Sequence, residues 1–477
     1  MENNRLILNS ILEILPKQVF VSGNVTEPWQ LYVPNAHKKA LQLYSNIVVG
    51  DRGVGKSTWT LALYDKQIRA SIGEKVKELE NVSVHIGFAE ASNSKDYPDK
   101  IIIKALLQKK FNPHDIWKSV VIRWLSQEIG EKTPMNDWDD SVPWVRDNSE
   151  LYIRILEKAN NEFKKKNKNG LILFDALDRL SDNWEEIDNI TRELLRLVLE
   201  LKAFSHIHAK VFLRTDQYTR NITDFPDASK LKSTRTDLDW DLYDLHWLLW
   251  QYLYNASGEG GNILKEYYNN SIGIPPIKKD NYWLIANDIT IDTKQRTLFE
   301  KLAGPYMGRD RRKGVPYIWT VSHLADGKKH TSPRSFLDAI KAAADDSLKR
   351  SGDYPLHYES IKKGVQSASQ IRVDEIAEDY PWINNLCRPL AGKIVPAHFS
   401  DFEKIWKEKY PNGPGMITSK NLPPQELDRG WHGIADELTR LGVFVKMRDG
   451  RIYMPDLFRV GFGLGRKGGV PPVGSLS

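Results

Sequence analysis

The chain has 477 residues, of which 41% are hydrophobic and 27% charged, so we expect two to four domains with folded cores. Its 68 Lys and Arg residues against 62 Asp and Glu give a formal net charge of +6, which permits a nucleic-acid or acidic partner without requiring one. The single cysteine, Cys387, excludes an internal disulfide and a cysteine-rich zinc site. We expect it to be a small buried side chain in a reducing compartment.

The first twenty residues predict a short amphipathic helix rather than a signal peptide. Asn9, Glu13 and Pro16 interrupt the apolar run, and there is no cationic segment followed by a small-residue cleavage site. No window of the sequence approaches 18 uninterrupted apolar residues, so we expect no transmembrane span. The sequence therefore predicts a cytoplasmic protein without a membrane partner.

Strand-like and helix-like segments alternate through the first half of the chain. The predicted helices are Ser57–Arg69, Asp147–Lys165 and Glu185–Phe204, and residues 89–148 predict a helical insertion after the second strand. This alternation is typical of an α/β fold with a parallel sheet and helical crossovers. The five predicted strands are Tyr44–Val49, Val82–Phe88, Gly170–Asp175, Ala209–Arg214 and Arg235–Trp240.

The second half of the chain reads as helical. Ser332 and Pro333 predict the cap and first turn of a helix over residues 332–350. An amphipathic helix ended by Gly442 precedes a predicted hairpin with Asp449-Gly450 at its tip, an order that favours a winged-helix unit. The predicted domains are an N-terminal extension (1–40), a core (41–245), a helical lid (246–350) and a winged-helix-like domain (351–477).

The segment Gly50–Ser57 matches the pattern G-x-x-x-x-G-K-[ST] between an apolar strand and a helix. Its glycines allow positive φ, so that successive backbone N–H groups can face one anion, and the helix adds its N-terminal dipole. Lys56 would reach the β- and γ-phosphates, Ser57 would bind Mg²⁺ and Thr58 would bond an α-phosphate oxygen. The alternative is a tight turn with a chance lysine. The predicted nucleotide-binding residues of this loop are Gly50, Arg52, Gly53, Val54, Gly55, Lys56, Ser57 and Thr58.

Polar residues at the ends of two later strands complete a predicted catalytic set with Lys56. Asp175 follows the apolar run "LILF", where a carboxylate at the carboxyl edge of the sheet would hold the metal through water. Asp178 is predicted to polarise the attacking water, and the alternative is a turn residue paired with Arg179. Arg214 is predicted to sense the γ-phosphate or offset its charge, and the alternative is a salt bridge to Asp216 or Asp178.

Together these motifs resemble the additional-strand P-loop NTPases, the group that contains the AAA+, KAP and STAND ATPases. The resemblance covers about residues 41–350 and implies a five-stranded parallel sheet in the order 5-1-4-3-2. The segment "LILFDALDRL" is similar to the STAND/NACHT pattern, in which a small residue follows the metal aspartate. The sequence departs from that pattern at Arg179, where NACHT members often carry a second acid.

Two further arginine-bearing segments match this group. Arg334, in "SPRSFLDAI", is similar to the sensor-2 arginine that lies beside the nucleotide, and the alternative is a capping or surface arginine. Residues 308–314 ("GRDRRKG") resemble an arginine finger acting on a neighbouring subunit, and the alternative is a solvated basic loop. No guanine-reading motif stands out, which favours adenine. Trp29, Tyr32 or Val33 would pack on the base, unless they belong to the core.

The resemblance implies an ATPase that uses ATP and Mg²⁺ as a molecular switch, with its nucleotide state controlling assembly or a partner effector. For bacterial proteins of this kind it implies antiphage defence and homo-oligomers. The alternative is a DNA-binding initiator or loader ATPase, in which the winged helix contacts DNA. From Gly442 onward six cationic residues, against two acidic ones, are compatible with phosphate contacts. A third alternative is a scaffold that binds nucleotide without hydrolysing it.

Overall fold

The computed structural model describes residues 2–16, 27–131, 137–285, 292–417 and 422–472. The chain divides into two compact units. We call the first the sheet unit; it comprises Val21–Pro28 and Val33–Asp239. We call the second the helical unit; it comprises Met1–Phe20, Trp29–Tyr32 and Trp240–Ser477.

The first helix, α1 (Glu2–Ile14), belongs to the helical unit, and the chain then enters the sheet unit. Strands and helices alternate along this unit as the sequence predicts. Its elements are α2 (Asn35–Leu41), β1 (Ile47–Val49), α3 (Lys56–Tyr64), α4 (Lys66–Gly73), β2 (Val82–Phe88), α5 (Lys100–Gln108), α6 (Pro113–Ile129), α7 (Trp138–Asp147), α8 (Ser149–Lys165), β3 (Asn169–Phe174), α9 (Trp184–Leu201), β4 (Ile207–Leu213), α10 (Thr215–Tyr218), α11 (Ser229–Lys232) and β5 (Arg235–Asp237).

The five strands form one parallel sheet in the order β2-β3-β4-β1-β5. This confirms the predicted α/β fold class and the order 5-1-4-3-2. In the centre of the sheet Ile47 of β1 lies opposite Val211 of β4 and Arg235 of β5. Strand β3 is buried from Gly170 to its end, which explains its apolar sequence without alternation. The carboxyl ends of all five strands therefore meet at one edge of the sheet.

Helices α6 and α9 pack together beside the sheet, and one tryptophan joins them to the strand ends. Trp117 of α6 is fully buried, and its indole N–H donates to the carbonyl oxygen of Ile190 in α9 at 2.9 Å. Its ring packs edge to face on Phe88, with 6.1 Å between centroids, and on Phe174, at 5.5 Å. Since these phenylalanines end β2 and β3, Trp117 fixes the two strand ends relative to the helical layer.

The sequence-based helix boundaries are wrong at two places in this unit. The segment predicted as one helix, Ser57–Arg69, is two helices, because Asp65 takes extended backbone angles and its carboxylate accepts from the N–H groups of Gln67 and Ile68. Helix α8 begins only at Ser149. The spacing of Leu151, Ile155 and Ala159 predicts an apolar stripe along this helix, but Leu151 is 45% exposed. The remaining residues of that stripe are buried.

The helical unit continues after the sheet unit. In its described residues the strands are all short, and most of the elements are helices. Its elements are α12 (Leu242–Leu253), α13 (Gly258–Ile272), β6 (Ile277–Lys278), β7 (Trp283–Leu284), α14 (Asp292–Ala303), α15 (Pro316–His323), α16 (Pro333–Ser347), α17 (Tyr358–Asp379), α18 (Pro381–Cys387), β8 (Ala397–His398), α19 (Phe399–Lys409), α20 (Gly430–Arg440), β9 (Val445–Lys446), β10 (Arg451–Tyr453) and α21 (Asp456–Arg459). None of the helices in the described ranges combines the length and apolar character that crossing a membrane requires.

Helices α16 and α17 cross closely at the centre of this unit. Ser332 caps α16 as predicted, since its hydroxyl accepts from the Ser335 N–H at 3.1 Å. At the crossing, a Cβ on Gly364 would lie 2.1 Å from the Ala339 carbonyl oxygen, so only glycine fits. Cys387 is buried as expected, and burial raises the pKa of its thiol.

The last described part of the chain forms a small antiparallel sheet in the order β8-β10-β9. Helix α20 lies between β8 and β9 in the sequence, and its residues Trp431, Ile434 and Leu438 are buried. Gly442 has a φ of 77° and follows the helix end, as the sequence predicts. The hairpin β9–β10 turns at the predicted Asp449-Gly450.

Candidate active site

The loop between β1 and α3 leaves the central strand at the carboxyl edge of the sheet. The Gly50 N–H donates to the Leu213 carbonyl oxygen at 3.0 Å, which continues the β1–β4 ladder into the loop. Gly53 and Gly55 have φ values of 82° and 104°, in the left-handed region that favours glycine. A Cβ on Gly50 would lie 2.6 Å from Cγ2 of Val54. The loop therefore closes tightly on itself, with the N-terminus of α3 at its end.

Lys56 lies across this loop. Its Nζ donates to the carbonyl oxygens of Gly50, at 2.8 Å, and Asp51, at 2.9 Å. Burial of the ammonium group lowers its pKa, and the nearby Arg214 lowers it further, while three neighbouring aspartates act in the opposite direction. A cation withdrawn from water at a helix N-terminus is suited to binding a phosphate group.

Asp175 lies beside the start of α3. It follows β3 directly, is 4% exposed, and its N–H donates to the Phe88 carbonyl oxygen at 2.9 Å. Burial raises the pKa of its carboxyl group, whereas a hydrogen bond from the Ser57 hydroxyl, the charge of Lys56 and the Ala176 N–H lower it. The structure thus brings the predicted metal-binding pair, Ser57 and Asp175, into direct contact.

The oxygen atoms of this pair fit a magnesium ion. Mg²⁺ prefers hydroxyl, carboxylate and water oxygens, and it is usually held by one or two protein groups together with phosphate. The Ser57 side chain is exposed and the Asp175 carboxylate is buried behind it. The next residue, Ala176, has a φ of 57°, a costly value for a side chain with a Cβ, and such values concentrate at functional sites.

Arg214 and Asp178 meet at the same edge. The Arg214 Nη1 lies 3.4 Å from Oδ2 of Asp178, and its Nε donates to Oδ1 of Asp216 at 3.0 Å. Both ion pairs that the sequence left as alternatives for Arg214 are therefore formed. The Gln217 side chain accepts from the Arg214 N–H at 3.0 Å. The sensor role of Arg214 and the water-activating role of Asp178 stay predictions.

Arg220 and Asp188 extend the network of ion pairs that Arg214 forms with Asp216. Arg220 Nη1 lies 4.0 Å from Oδ2 of Asp216, and Arg220 Nε donates to Oδ1 of Asp188 at 2.7 Å. The Arg220 guanidinium lies over the Trp184 ring, 4.3 Å from its centroid. Sequence reasoning missed Asp188 and Arg220, because both sit outside any motif and contact the site only through other side chains.

Arg179, the position where the sequence departs from the STAND/NACHT pattern, pairs with a different carboxylate. Its Nη1 lies 2.7 Å from Oε1 of Glu90, two residues beyond the end of β2. Asp178 pairs with Arg214 instead, so the expected alternative of an Asp178–Arg179 pair is not what the structure shows. Sequence reasoning does not find Glu90, for which the one available signal is its place just after a strand.

A buried histidine ties helix α2 to helix α3 below the loop. The indole N–H of Trp59 donates to Nδ1 of His37 at 3.1 Å, and Nε2 of His37 lies 3.0 Å from the Asp239 carbonyl oxygen. Because Nδ1 accepts, Nε2 must carry the proton and donate. Burial lowers the pKa of His37 to about 4, so this neutral tautomer is the stable form.

The other predicted site residues are placed as follows. Arg334 begins α16 in the helical unit, where its Nη1 donates to Oε1 of Glu375 at 2.6 Å. In the segment 308–314, Arg312 is 90% exposed and pairs with Asp310 at 3.0 Å. Val54 and Val33 are buried, and Arg52 and Thr58 are half-buried, in the sheet unit. Trp29 and Tyr32 belong to the helical unit.

Comparison with known proteins gives only distant likenesses. No family model matches the chain, and no curated protein matches it. Among solved structures, the chain is similar to the Aeropyrum pernix ORC2 protein in ADPNP–ADP complexes, with a TM-score of 0.41, 13% identity and coverage of 93% of this chain and 94% of that one. The A. pernix ORC1 protein in complex with DNA has a TM-score of 0.35, 12% identity and coverage of 92% and 95%. The ADP form of ORC2 has a TM-score of 0.32, 13% identity and coverage of 92% of both chains.

Proposed function

We propose that the sheet unit binds ATP with Mg²⁺ and hydrolyses it. The observation that carries the proposal is the meeting of a glycine loop, Lys56 and the Ser57–Asp175 pair at the carboxyl edge of a parallel sheet. Ligands of α/β sheets bind at this edge, and each group here is of the type that phosphate or its metal requires.

The surroundings of each residue favour a different role in phosphoryl transfer. The loop N–H groups and Lys56 bind phosphate oxygens. When phosphate binds, Lys56 gives up its hydrogen bonds to the carbonyl oxygens of Gly50 and Asp51. Ser57 and Asp175 would hold the magnesium ion, Asp175 through water, and the bound ion would neutralise charge on the phosphates. Asp178, which is partly exposed, orients and polarises the attacking water. Arg214 offsets charge on the γ-phosphate.

Phosphate release by the purified full chain tests this proposal. With Mg²⁺ and ATP, Lys56→Ala and Asp175→Ala should each lower the hydrolysis rate by about 100-fold or more, because each removes a charge that acts on the transition state. Lys66→Ala is the matched control, since Lys66 is an exposed lysine of the same unit at the start of α4. Equal hydrolysis by all four proteins would overturn the assignment.

A second measurement separates ATP turnover from simple binding. If the chain is a scaffold, as the third alternative holds, it retains ATP tightly and releases no phosphate. Competition by GTP against labelled ATP tests the preference for adenine, which rests on the absence of a guanine-reading motif. The proposed control of an effector or of assembly, and the antiphage setting, rest on the family resemblance alone.

We infer a second function, binding of duplex DNA, from the last part of the helical unit. The chain order α18, β8, α19, α20 and then the hairpin β9–β10 is that of a winged helix, with the three strands in the order β8-β10-β9. The hairpin tip, residues 447–450, is exposed and carries Arg448. This supports the initiator or loader type of ATPase over a switch that acts only on proteins.

A salt titration with the full chain tests the second function. Binding of a fluorescent duplex is followed by anisotropy. The logarithm of the binding constant should fall linearly with the logarithm of the salt concentration, because phosphate contacts release counterions. Absence of binding at the lowest salt concentration would contradict the proposal. ATP hydrolysis by the same preparation is measured separately, so failure of one function leaves the other standing.

A further inference from the structure

The exposed stripe of helix α20 carries an acidic residue at its centre. The buried residues Trp431, Ile434 and Leu438 fix the orientation of the helix. Its outward stripe therefore contains His432 and Asp436, with Arg440 one turn beyond. In a winged helix this stripe is the part that would enter the major groove of a duplex. A carboxylate in this position repels phosphate unless a cation neutralises it.

Asp436 pairs with two cations at once. Arg429, just before the helix, donates from Nη2 to its Oδ2 at 2.7 Å, and Nζ of Lys446 in β9 contacts its Oδ1. Arg429 also donates from Nη1 to Oε2 of Glu426 at 3.2 Å. The Asp436 side chain is 29% exposed, against 59% for Arg429 and 53% for Lys446. The hydrogen bond from Lys446 and then that from Arg429 lower the pKa of Asp436, so the carboxylate is ionised at neutral pH.

Most of the remaining cations near this stripe are also paired. Arg440 lies 3.4 Å from Oε1 of Glu437, and Arg451 of the hairpin lies 2.7 Å from Oδ2 of Asp449. Within the described ranges Arg448, at the hairpin tip, forms no ion pair. The face made by α20 and the hairpin thus carries only a small net positive charge, because most of its basic residues are paired.

We propose that Asp436 sets the affinity of this face for duplex nucleic acid, because it holds Arg429 and Lys446 in ion pairs that backbone phosphates must displace. The proposal rests on the DNA-binding function proposed above and names the residue that limits it. The partner it fits is a phosphate backbone, since Arg429, Lys446 and Arg448 together line the helix and the hairpin.

The weakness of these ion pairs allows phosphate to take the place of the Asp436 carboxylate. Ion pairs between exposed side chains are weak, so phosphates can replace the carboxylate. When they do, two phosphates replace one carboxylate, and the ionised Asp436 left beside the DNA cancels about one of the two counterions that these contacts release. The wild-type chain should therefore bind a duplex weakly and with a shallow dependence on salt. Removal of the Asp436 charge should therefore add about one released counterion.

Anisotropy titrations of the full chain with a fluorescent duplex of about 25 base pairs test this at several salt concentrations. Asp436→Asn should raise the affinity roughly tenfold at low salt and steepen the slope of log K against log salt by about one. The triple variant Asp436→Asn, Arg429→Gln, Lys446→Gln should bring the slope back to the wild-type value or below it. Thermal unfolding of each variant shows that it is folded.

The control is Asp401→Asn, which has the same charge change in α19 and releases Lys393, 3.4 Å away. It should change affinity and slope much less than Asp436→Asn. Equal effects of the two variants would mean that net charge alone acts, and would overturn the proposal. So would a triple variant that keeps the gain, or a duplex bound identically, or not at all, by wild type and Asp436→Asn. Since ATP hydrolysis is measured apart, none of these results depends on the ATPase proposal.

Discussion

Asp175 and Asp178 stand in different surroundings although they are only three positions apart. Asp175 is buried against Ser57, while Asp178 is partly exposed and pairs with Arg214. A buried carboxylate that accepts a hydroxyl hydrogen bond is suited to hold a metal through water. A carboxylate open to solvent can meet a water molecule that attacks phosphate. The surroundings thus favour different roles for the two.

Asp178→Asn should separate these roles. We expect the hydrolysis rate to fall by about 100-fold to 10,000-fold, as for loss of a general base, with nucleotide affinity almost unchanged. Single-turnover phosphate release and binding of a fluorescent nucleotide measure the two quantities. The isosteric Asp182→Asn is the control, since Asp182 is an exposed aspartate nearby in sequence that pairs with Lys100. A rate equal to that of wild type would assign water activation to another group.

At this scale the sequence predicts only the residues that belong to a motif. Lys56 and Ser57 follow from the glycine pattern, and Asp175 from its place after an apolar strand. Glu90 and Arg220 do not follow, because their partners come from distant elements that only the folded chain brings close. The sequence alone does not show which charged residues are buried in the folded chain.

At the scale of elements, Asp65 ends one helix and caps the next. Its carboxylate accepts from the Gln67 N–H at 2.8 Å and from the Ile68 N–H at 2.9 Å. The apolar spacing of residues 57–69 is equally compatible with one continuous helix, so the sequence does not predict the break. In contrast, all five strands are predicted. The clearest signal is that of β3, a short apolar run without alternation, whereas β5 has the sequence Arg-Thr-Asp and no apolar run.

Asp65→Ala should therefore destabilise the sheet unit without altering its chemistry. Loss of a capping side chain costs about 1 kcal/mol of free energy of unfolding. Urea denaturation should show this loss, and Asp65→Asn, which keeps an oxygen acceptor, should recover most of it. If alanine and asparagine were equal and both matched wild type, the cap would contribute nothing and the break would have another cause.

Lys210 joins three elements of the sheet unit from inside. It lies in β4, its side chain is fully buried, and its Nζ donates to the carbonyl oxygens of Ala40, Gln42 and Ser45. These carbonyls lie in the segment that leads from α2 into β1, and so towards the glycine loop. No carboxylate accepts from it in the described part of the chain, so the buried charge is compensated by the carbonyl dipoles and, at longer range, by the charge of Glu78.

Lys210 should give the stability of this unit a distinct pH dependence. Burial lowers its pKa to about 7, whereas the pKa of lysine in an unfolded chain is about 10.4. Between these values the unfolded chain binds a proton that the folded chain lacks, so the free energy of unfolding contributed by Lys210 rises as the pH rises from about 7 to about 10. The difference between wild type and Lys210→Met should therefore grow over this range, by up to about 3–4 kcal/mol.

Urea denaturation of both proteins at pH 6, 7.5 and 9 measures that difference, and the other titrating groups cancel in it. Lys210→Arg is a useful companion, since arginine stays charged and its contribution should be flat over the same range. A difference between wild type and Lys210→Met that is flat, or falls as the pH rises, would contradict the prediction.

At the scale of the molecule, the two units carry the two proposed functions separately. The groups proposed to bind and hydrolyse ATP come from the sheet unit, and those proposed to bind the duplex come from the end of the helical unit. Chain order does not show this division, since Trp29–Tyr32 belongs to the helical unit although the residues after it belong to the sheet unit. Such a long-range assignment depends on packing and has no local pattern in the sequence.

A ligand that binds only the folded chain must raise its stability, which gives a test that does not depend on turnover. At 100 times its dissociation constant, Mg²⁺-ATP should add about 2.7 kcal/mol, or about 5–10 °C in the unfolding temperature of a unit of this size. Removal of Mg²⁺ with EDTA should shrink the shift, because the Ser57–Asp175 pair then lacks its metal.

Scanning calorimetry of wild type, Lys56→Ala and Lys66→Ala distinguishes a specific site from general binding of anions. The shift should disappear in Lys56→Ala and persist in Lys66→Ala, because only Lys56 contacts the loop. Inorganic triphosphate should shift the temperature less than ATP if the base contributes. An equal shift in the two lysine variants would mean that ATP binds elsewhere, and the glycine loop would then be a structural turn rather than a phosphate site.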